Sequence, residues 1–136
     1  MMLSYLVAYL VSGAVFIGLD ATWLSLMGPR LYKPLLQNLL ATTIRPAPAV
    51  LFYVLYIAGI LIFAVAPASS APRVHGAMLR GACFGLIAYG TYDLTNQATL
   101  RTWPAIITIA DLGWGMFVTA VAAGAGCLAW QWLAKP

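Results

Sequence analysis

The sequence predicts an all-α integral membrane protein. Its expected form is a four-helix transmembrane bundle with both termini on the same side and a short interfacial helix between helices 1 and 2. Composition, the lengths of the apolar stretches and the residues that punctuate them predict it together. The chain is 63% hydrophobic and 7% charged, with mean hydropathy +0.92, whereas a soluble domain is roughly 45–50% apolar and about 25% charged. Helices rise about 1.5 Å per residue, so about 20 apolar residues cross a hydrocarbon layer of roughly 30 Å. Four stretches reach that length, and 136 residues leave room for one domain.

The first helix is expected from about residue 3 to 27, stopping at Gly28-Pro29-Arg30. From Arg30 to Arg45 the leucines Leu31, Leu35, Leu36, Leu39 and Leu40 recur at helical spacing among polar residues, which suits a helix lying in the headgroup layer. The second crossing is expected over about 47–66, between Pro46 and Pro67, followed by an exposed loop from Pro67 to Arg73. The third spans about 76–98 and ends before Arg101. A tight hairpin at Leu100–Trp103 leads to the fourth, over about 105–132, with Pro104 suited to a helix start. The N-terminus has no basic leader, and its apolar run is too long for a signal-peptide core, so it reads as a retained helix.

Net charge is +4. In so apolar a chain this suits loops that meet anionic lipid headgroups; no basic run interleaves with aromatics, which argues against nucleic acid. Arg30, Lys33, Arg45 and Arg101 fall on one face, and Arg73, Arg80 and Lys135 on the other. That small excess favours a cytoplasmic first loop and leaves room for dual topology. Cys83 and Cys127 have no metal or redox spacing and read as small apolar core residues.

All three acidic residues, Asp20, Asp93 and Asp111, fall inside predicted helices. A charge at the bilayer centre costs about 2.5–3.5 kcal/mol even on lenient scales, so these groups must face protein or a wet cavity. Asp20 lies eight residues before Gly28, Asp93 eight before Arg101, and Asp111 seven after Pro104. All three are then roughly 10–13 Å below one surface, which predicts a shared pocket. Neighbouring carboxylates in low dielectric resist ionising together, so a proton or a bound cation is expected among them. A metal there would be a hard, oxygen-bound ion such as Na⁺, Mg²⁺ or Ca²⁺ rather than zinc. No cofactor is expected.

Tyr89, Tyr92, Asp93 and Asn96 share one face of the third helix, and Asp93 with Asn96 is the foremost pair. Trp23 stands on the face of Asp20, and Thr108 and Trp114 on that of Asp111. Asp20-Ala-Thr-Trp23 and Asp111-Leu-Gly-Trp114 share a D-x-x-W pattern. The expected solute- or ion-binding set is therefore Asp20, Asp93, Asp111, Asn96, Tyr89, Tyr92, Trp23 and Trp114; no catalytic residue is assigned. Helix glue is the competing role for such groups. Gly81-x-x-x-Gly85, with Gly113, Gly115, Gly124 and Gly126, reads as close helix packing. Trp103, Trp130 and Trp132 read as interface anchors, and Trp23 as an anchor that can also line the pocket.

Five stretches carry a family resemblance: Gly18 to Leu24, Leu51 to Gly59, Tyr89 to Asn96, Ala98 to Arg101 with Trp103-Pro104, and Asp111 to Gly115. Together, and over nearly the whole chain, they resemble the bacterial predicted membrane proteins grouped as domain of unknown function 2177. The resemblance implies a small multi-pass protein of the bacterial inner membrane and supplies no substrate, cofactor or catalytic residue.

Three functions stay open on the residues. The foremost is proton- or cation-coupled transport of a small solute, for which four helices are few and a homodimer is expected. The second is a lipid- or isoprenoid-modifying enzyme, or its accessory subunit, although no HExxH, GxSxG or Cys/His pair is present. The third is a structural or regulatory subunit of a membrane complex. Membrane lipids are partners in all three.

Overall fold

The computed structural model describes residues 1–69 and 74–134, and the described residues are helices joined by short turns. In chain order they are α1 (Met2–Met27), a wide π-turn (Gly28–Tyr32), α2 (Lys33–Leu36), α3 (Pro46–Ile60), a second π-turn (Leu61–Val65), α4 (Ala66–Ser69), α5 (Val74–Thr99) and α6 (Ala105–Ala134). Arg73 and Lys135, used above to weigh orientation, lie outside the described residues, as does most of the loop expected at Pro67–Arg73. Pro67 itself lies in α4.

Among the described residues three stretches are long and apolar enough to cross a membrane: Met2–Leu36, Pro46–Ala68 and Ala105–Ala134. α5 has 26 residues, the same length as α1. Its composition sets it apart, since it carries His75, Arg80, Asp93, Asn96 and Gln97. Several of its outward-facing hydroxyls bond back to their own helix. Thr91 donates to the Ile87 carbonyl at 2.7 Å, Thr95 to those of Thr91 and Tyr92, and Thr99 to that of Thr95 at 2.7 Å. Such bonds satisfy a hydroxyl without water.

The first helix does not stop at Gly28-Pro29-Arg30 as the sequence suggests. It widens there into the π-turn, in which the Lys33 N–H reaches the Gly28 carbonyl, and runs on to Leu36. The widened turn stands just ahead of Pro34, which has no N–H to give and whose ring would crowd the carbonyl four residues back in a regular helix. The second π-turn stands just ahead of Pro67. The interfacial helix expected over Arg30–Arg45 is thus a continuation of α1 ending at Leu36, and residues 37–45 form turns and extended chain.

α6 is the strut against which the rest is built. The close approaches of Gly81 to Thr119 and Ala123, of Gly85 to Gly115 and of Met78 to Gly124 step in opposite directions along α5 and α6. The two helices are therefore antiparallel. Ser12 with Ala122, and Ala8 and Ser12 with Gly126, set α1 antiparallel to α6 in the same way. A Cβ on Gly85 would lie 2.1 Å from the Gly115 carbonyl oxygen, and one on Gly81 would lie 2.7 Å from that of Thr119. Backbones this close gain dispersion contacts along their whole length, the packing force available where no hydrophobic effect separates helix from lipid. Gly113 departs from the expected packing role, with open space where a side chain would stand. Cys83 departs too: it is exposed, whereas Cys127 is buried, and both are free. Residues two apart point to nearly opposite sides of a helix, so Cys83, between Gly81 and Gly85, must face outward.

Gly85→Ala is expected to lower stability by about 1–3 kcal/mol, because the opposing atom is backbone and α5 must move as a body. Gly113→Ala, with nothing to meet, is expected to be neutral or to stabilise by up to about 1 kcal/mol. Unfolding of both variants in mixed micelles by graded SDS addition checks the pair.

Candidate functional site

At one end of the bundle a cavity of about 720 Å³ opens between α1, α3, α5 and α6. α1 supplies Asp20, Trp23 and Leu24, α6 supplies Asp111 and Trp114, and α5 supplies Ala88, Tyr89 and Tyr92. The widened turn adds Gly28 and Tyr32, and α2 adds Lys33 and Leu36. Phe52 and Tyr56 of α3 close another side. Leu40 and Ile44 form an exposed rim.

Inside the bundle the acids are held by rings. Asp20 accepts from the Tyr53 hydroxyl at 2.6 Å and from the Trp114 indole N–H at 3.2 Å, one on each oxygen. Asp111 accepts a short hydrogen bond from the Tyr32 hydroxyl, which itself accepts from the Trp23 indole N–H at 2.8 Å. The indoles of Trp23 and Trp114 stack in parallel, with centroids 4.5 Å apart and planes 8° apart. The two D-x-x-W segments are therefore reciprocal. Trp114 of the second supports Asp20 of the first, and Trp23 of the first supports Asp111 of the second through Tyr32. Antiparallel α1 and α6 make this exchange feasible, because each tryptophan lies one turn beyond its own aspartate toward the other helix's acid.

Asp93 differs. It is 0% exposed and does not line the cavity, whereas Asp20 and Asp111 keep 7% and 8% exposure and do line it. Neither carboxyl oxygen of Asp93 has a donor. Its close neighbour is Asp111, and two carboxyl groups can bond to each other only if one of them carries a proton. Buried acceptors without a donor lose their full solvation, a cost that Asp93 carries and Asp20 does not.

Of the eight residues singled out from the sequence, Asp20, Asp111, Tyr89, Tyr92, Trp23 and Trp114 share the cavity wall. Asp93 stands behind Asp111, and Asn96 lies off the wall beside Tyr92. The foremost pair, Asp93 with Asn96, is therefore not where a solute would first make contact. Nor do the acids form one ligand set: among the described residues no three carboxyl, imidazole or thiol groups gather closely enough for a metal ion. Trp103, expected only as an anchor, joins the wall; its indole donates to Thr108 at 3.1 Å, and Thr108 donates to Gln97 at 2.8 Å.

Sequence reasoning missed Tyr53, Tyr32 and Lys33. Tyr53 had a signal: it lies seven residues inside the helix that begins at Pro46, the same depth as Asp111 after Pro104. Tyr32 and Lys33 had none while the first helix was taken to end at Gly28.

Long apolar helices packed around buried carboxyl groups define a multi-helix integral membrane protein. The chain belongs to the family described as predicted membrane protein (DUF2177), whose model matches residues 5–128. No match is found among curated proteins or among solved structures.

Tyr32→Phe strips Asp111 of its hydroxyl donor and the Trp23 indole of its acceptor in one step. It is expected to cost about 1–3 kcal/mol of stability, and unfolding in mixed micelles, read through tryptophan fluorescence, measures it.

Proposed function

We propose that this protein carries a small solute across the bacterial inner membrane in exchange for protons, with Asp20 and Asp111 facing the solute and the Asp93–Asp111 pair holding the proton. The observation that carries this reading is Asp93, sealed from solvent with both oxygens lacking a donor, directly behind a carboxyl that lines a large cavity. A purely structural acid would be expected to end on a donor, as Asp20 does. The hydrogen-bond donors to Asp20 and Asp111 are tyrosines and a tryptophan, neutral groups that bring no positive charge to either acid. Chemistry on a lipid has less support, since the described wall contains no histidine, cysteine or serine to act as a nucleophile or base beside the acids.

The reading includes four crossings. α5 runs antiparallel to α6 along a glycine stripe, and its exposed threonines bond to their own helix. Helices α1, α3 with α4, α5 and α6 then cross in turn, and both termini lie on one side. Four helices are few to enclose a path, so two copies are expected to form it.

Purified protein in liposomes, offered candidate solutes, is expected to release protons with one of them. Asp93→Asn should abolish the release while leaving the protein folded. Retained release in that variant would remove Asp93 from the mechanism. The topology has its own check: in a background with Cys83 and Cys127 replaced by Ala, Met2→Cys and Ala134→Cys should react with a membrane-impermeant maleimide from the same side. Labelling from opposite sides would rule out four crossings.

A further inference from the structure

We infer that the solute is an amphipathic organic cation, a bulky positive head on an apolar, ring-bearing body, and that Asp20 is its counter-ion. The inference rests on the transport reading for where the solute goes and on the cavity alone for what the solute is.

Size comes first. A cavity of about 720 Å³ is far larger than a proton or a metal ion needs and falls among sites for drug-sized molecules, about 300–1,000 Å³. The wall then decides chemistry. Trp23, Trp114, Tyr89, Tyr92 and Phe52 present rings to the space, and ring faces attract cations more strongly as water is removed. A sugar or other neutral polar solute would need many partners that such walls do not offer. An anion would meet two carboxyl groups at the inner end.

Charge narrows it further. Under the transport reading the Asp93–Asp111 pair holds the proton, and Asp93, buried behind the wall, has no donor on either oxygen. Asp20 is different, because each of its oxygens accepts from a neutral donor, the Tyr53 hydroxyl or the Trp114 indole, and neither brings a positive charge. A carboxyl group offers acceptor sites for more partners than two. What remains exposed of Asp20, 7%, opens onto the cavity. Lys33, the basic residue of the wall, is exposed at the outer turn, where a long side chain can lift its ammonium into the headgroup layer.

The route follows from the rim. Leu40 and Ile44 are exposed apolar residues bordering the opening, and Leu36 lies just within. An amphiphile dissolved among acyl chains can slide past them with its body still in an apolar medium.

A matched pair of ions tests this on the full chain in lipid nanodiscs. Tetraphenylphosphonium and tetraphenylborate have nearly the same shape and opposite charge. The phosphonium is expected to bind saturably and quench tryptophan fluorescence, and the borate to show only the non-saturating signal of lipid partition. Asp20→Asn should weaken phosphonium binding about tenfold or more. Equal saturable binding of both ions in the unaltered protein would overturn the inference, whatever the variant does. So would undiminished phosphonium binding by a folded Asp20→Asn variant. The transport reading fails separately. Proton release on adding another solute, without phosphonium binding, removes the solute class and keeps the exchange. Phosphonium binding without proton release keeps the class and removes the exchange.

Discussion

A carboxyl group within a hydrocarbon layer has no water to turn to, so the protein must supply every partner it needs. That constraint organises this molecule. Three aspartates on three helices gather toward one end of the bundle, staggered along it, and each is treated differently. Asp20 receives two neutral donors, Asp111 receives one, and Asp93 receives none and leans on Asp111. Of the rings that serve the first two, Trp114, Tyr32 and Trp23 also wall the cavity, while Tyr53 reaches Asp20 from outside the wall. Holding the acids and shaping the binding space therefore share most of their side chains.

The network is only as good as the helix packing beneath it. Tyr53 must reach Asp20 from α3, and Trp114 must reach it from α6, within hydrogen-bond distance of the same carboxylate. Such convergence needs helices whose spacing is fixed. The glycines of α5 and α6 fix it, since backbones in contact leave no side chain between them to repack. At the cavity wall Tyr56 shares a 2.8 Å hydrogen bond with Thr119, and farther along the bundle Ser12 donates to the Ala122 carbonyl at 3.0 Å; these tie α3 and α1 to α6. Polar bonds in the middle of the membrane and glycine contacts along its length hold the rings in register.

Much of this was readable in the sequence, and the parts that were not share a cause. Counting residues inward from Gly28, Arg101 and Pro104 places the three acids toward one end of the bundle, and the Gly81–Gly85 stripe follows from spacing alone. The single depth that the count predicts does not hold, because the packed register staggers Asp20, Asp111 and Asp93 along α6. Depth does not give direction around the helix axis. So counting alone did not tell that Asp93 would be sealed behind Asp111 while Asp20 faced the cavity. Nor did a local rule tell that the chain would run on past Pro29 through a widened turn. That choice depends on what the continued helix gains, which includes the Tyr32 bond to Asp111 from a helix distant in sequence. Proline raised the cost of continuing, and tertiary contact outweighed it.

The reciprocity of the two D-x-x-W segments suggests why so small a protein keeps its acids together. Trp23 and Trp114 stack on each other while each serves the other's aspartate, one directly and one through Tyr32. A change at either carboxyl is therefore felt at both. The Tyr32 hydroxyl donates to Asp111 and accepts from Trp23, the Trp23 ring stacks on Trp114, and Trp114 donates to Asp20, so an unbroken chain of contacts runs from one carboxyl to the other. Under the proposed exchange, a solute at Asp20 and a proton at Asp93 never need to touch. Coupling between them requires only that this short chain of rings have two arrangements of nearly equal energy, each favoured by one occupant.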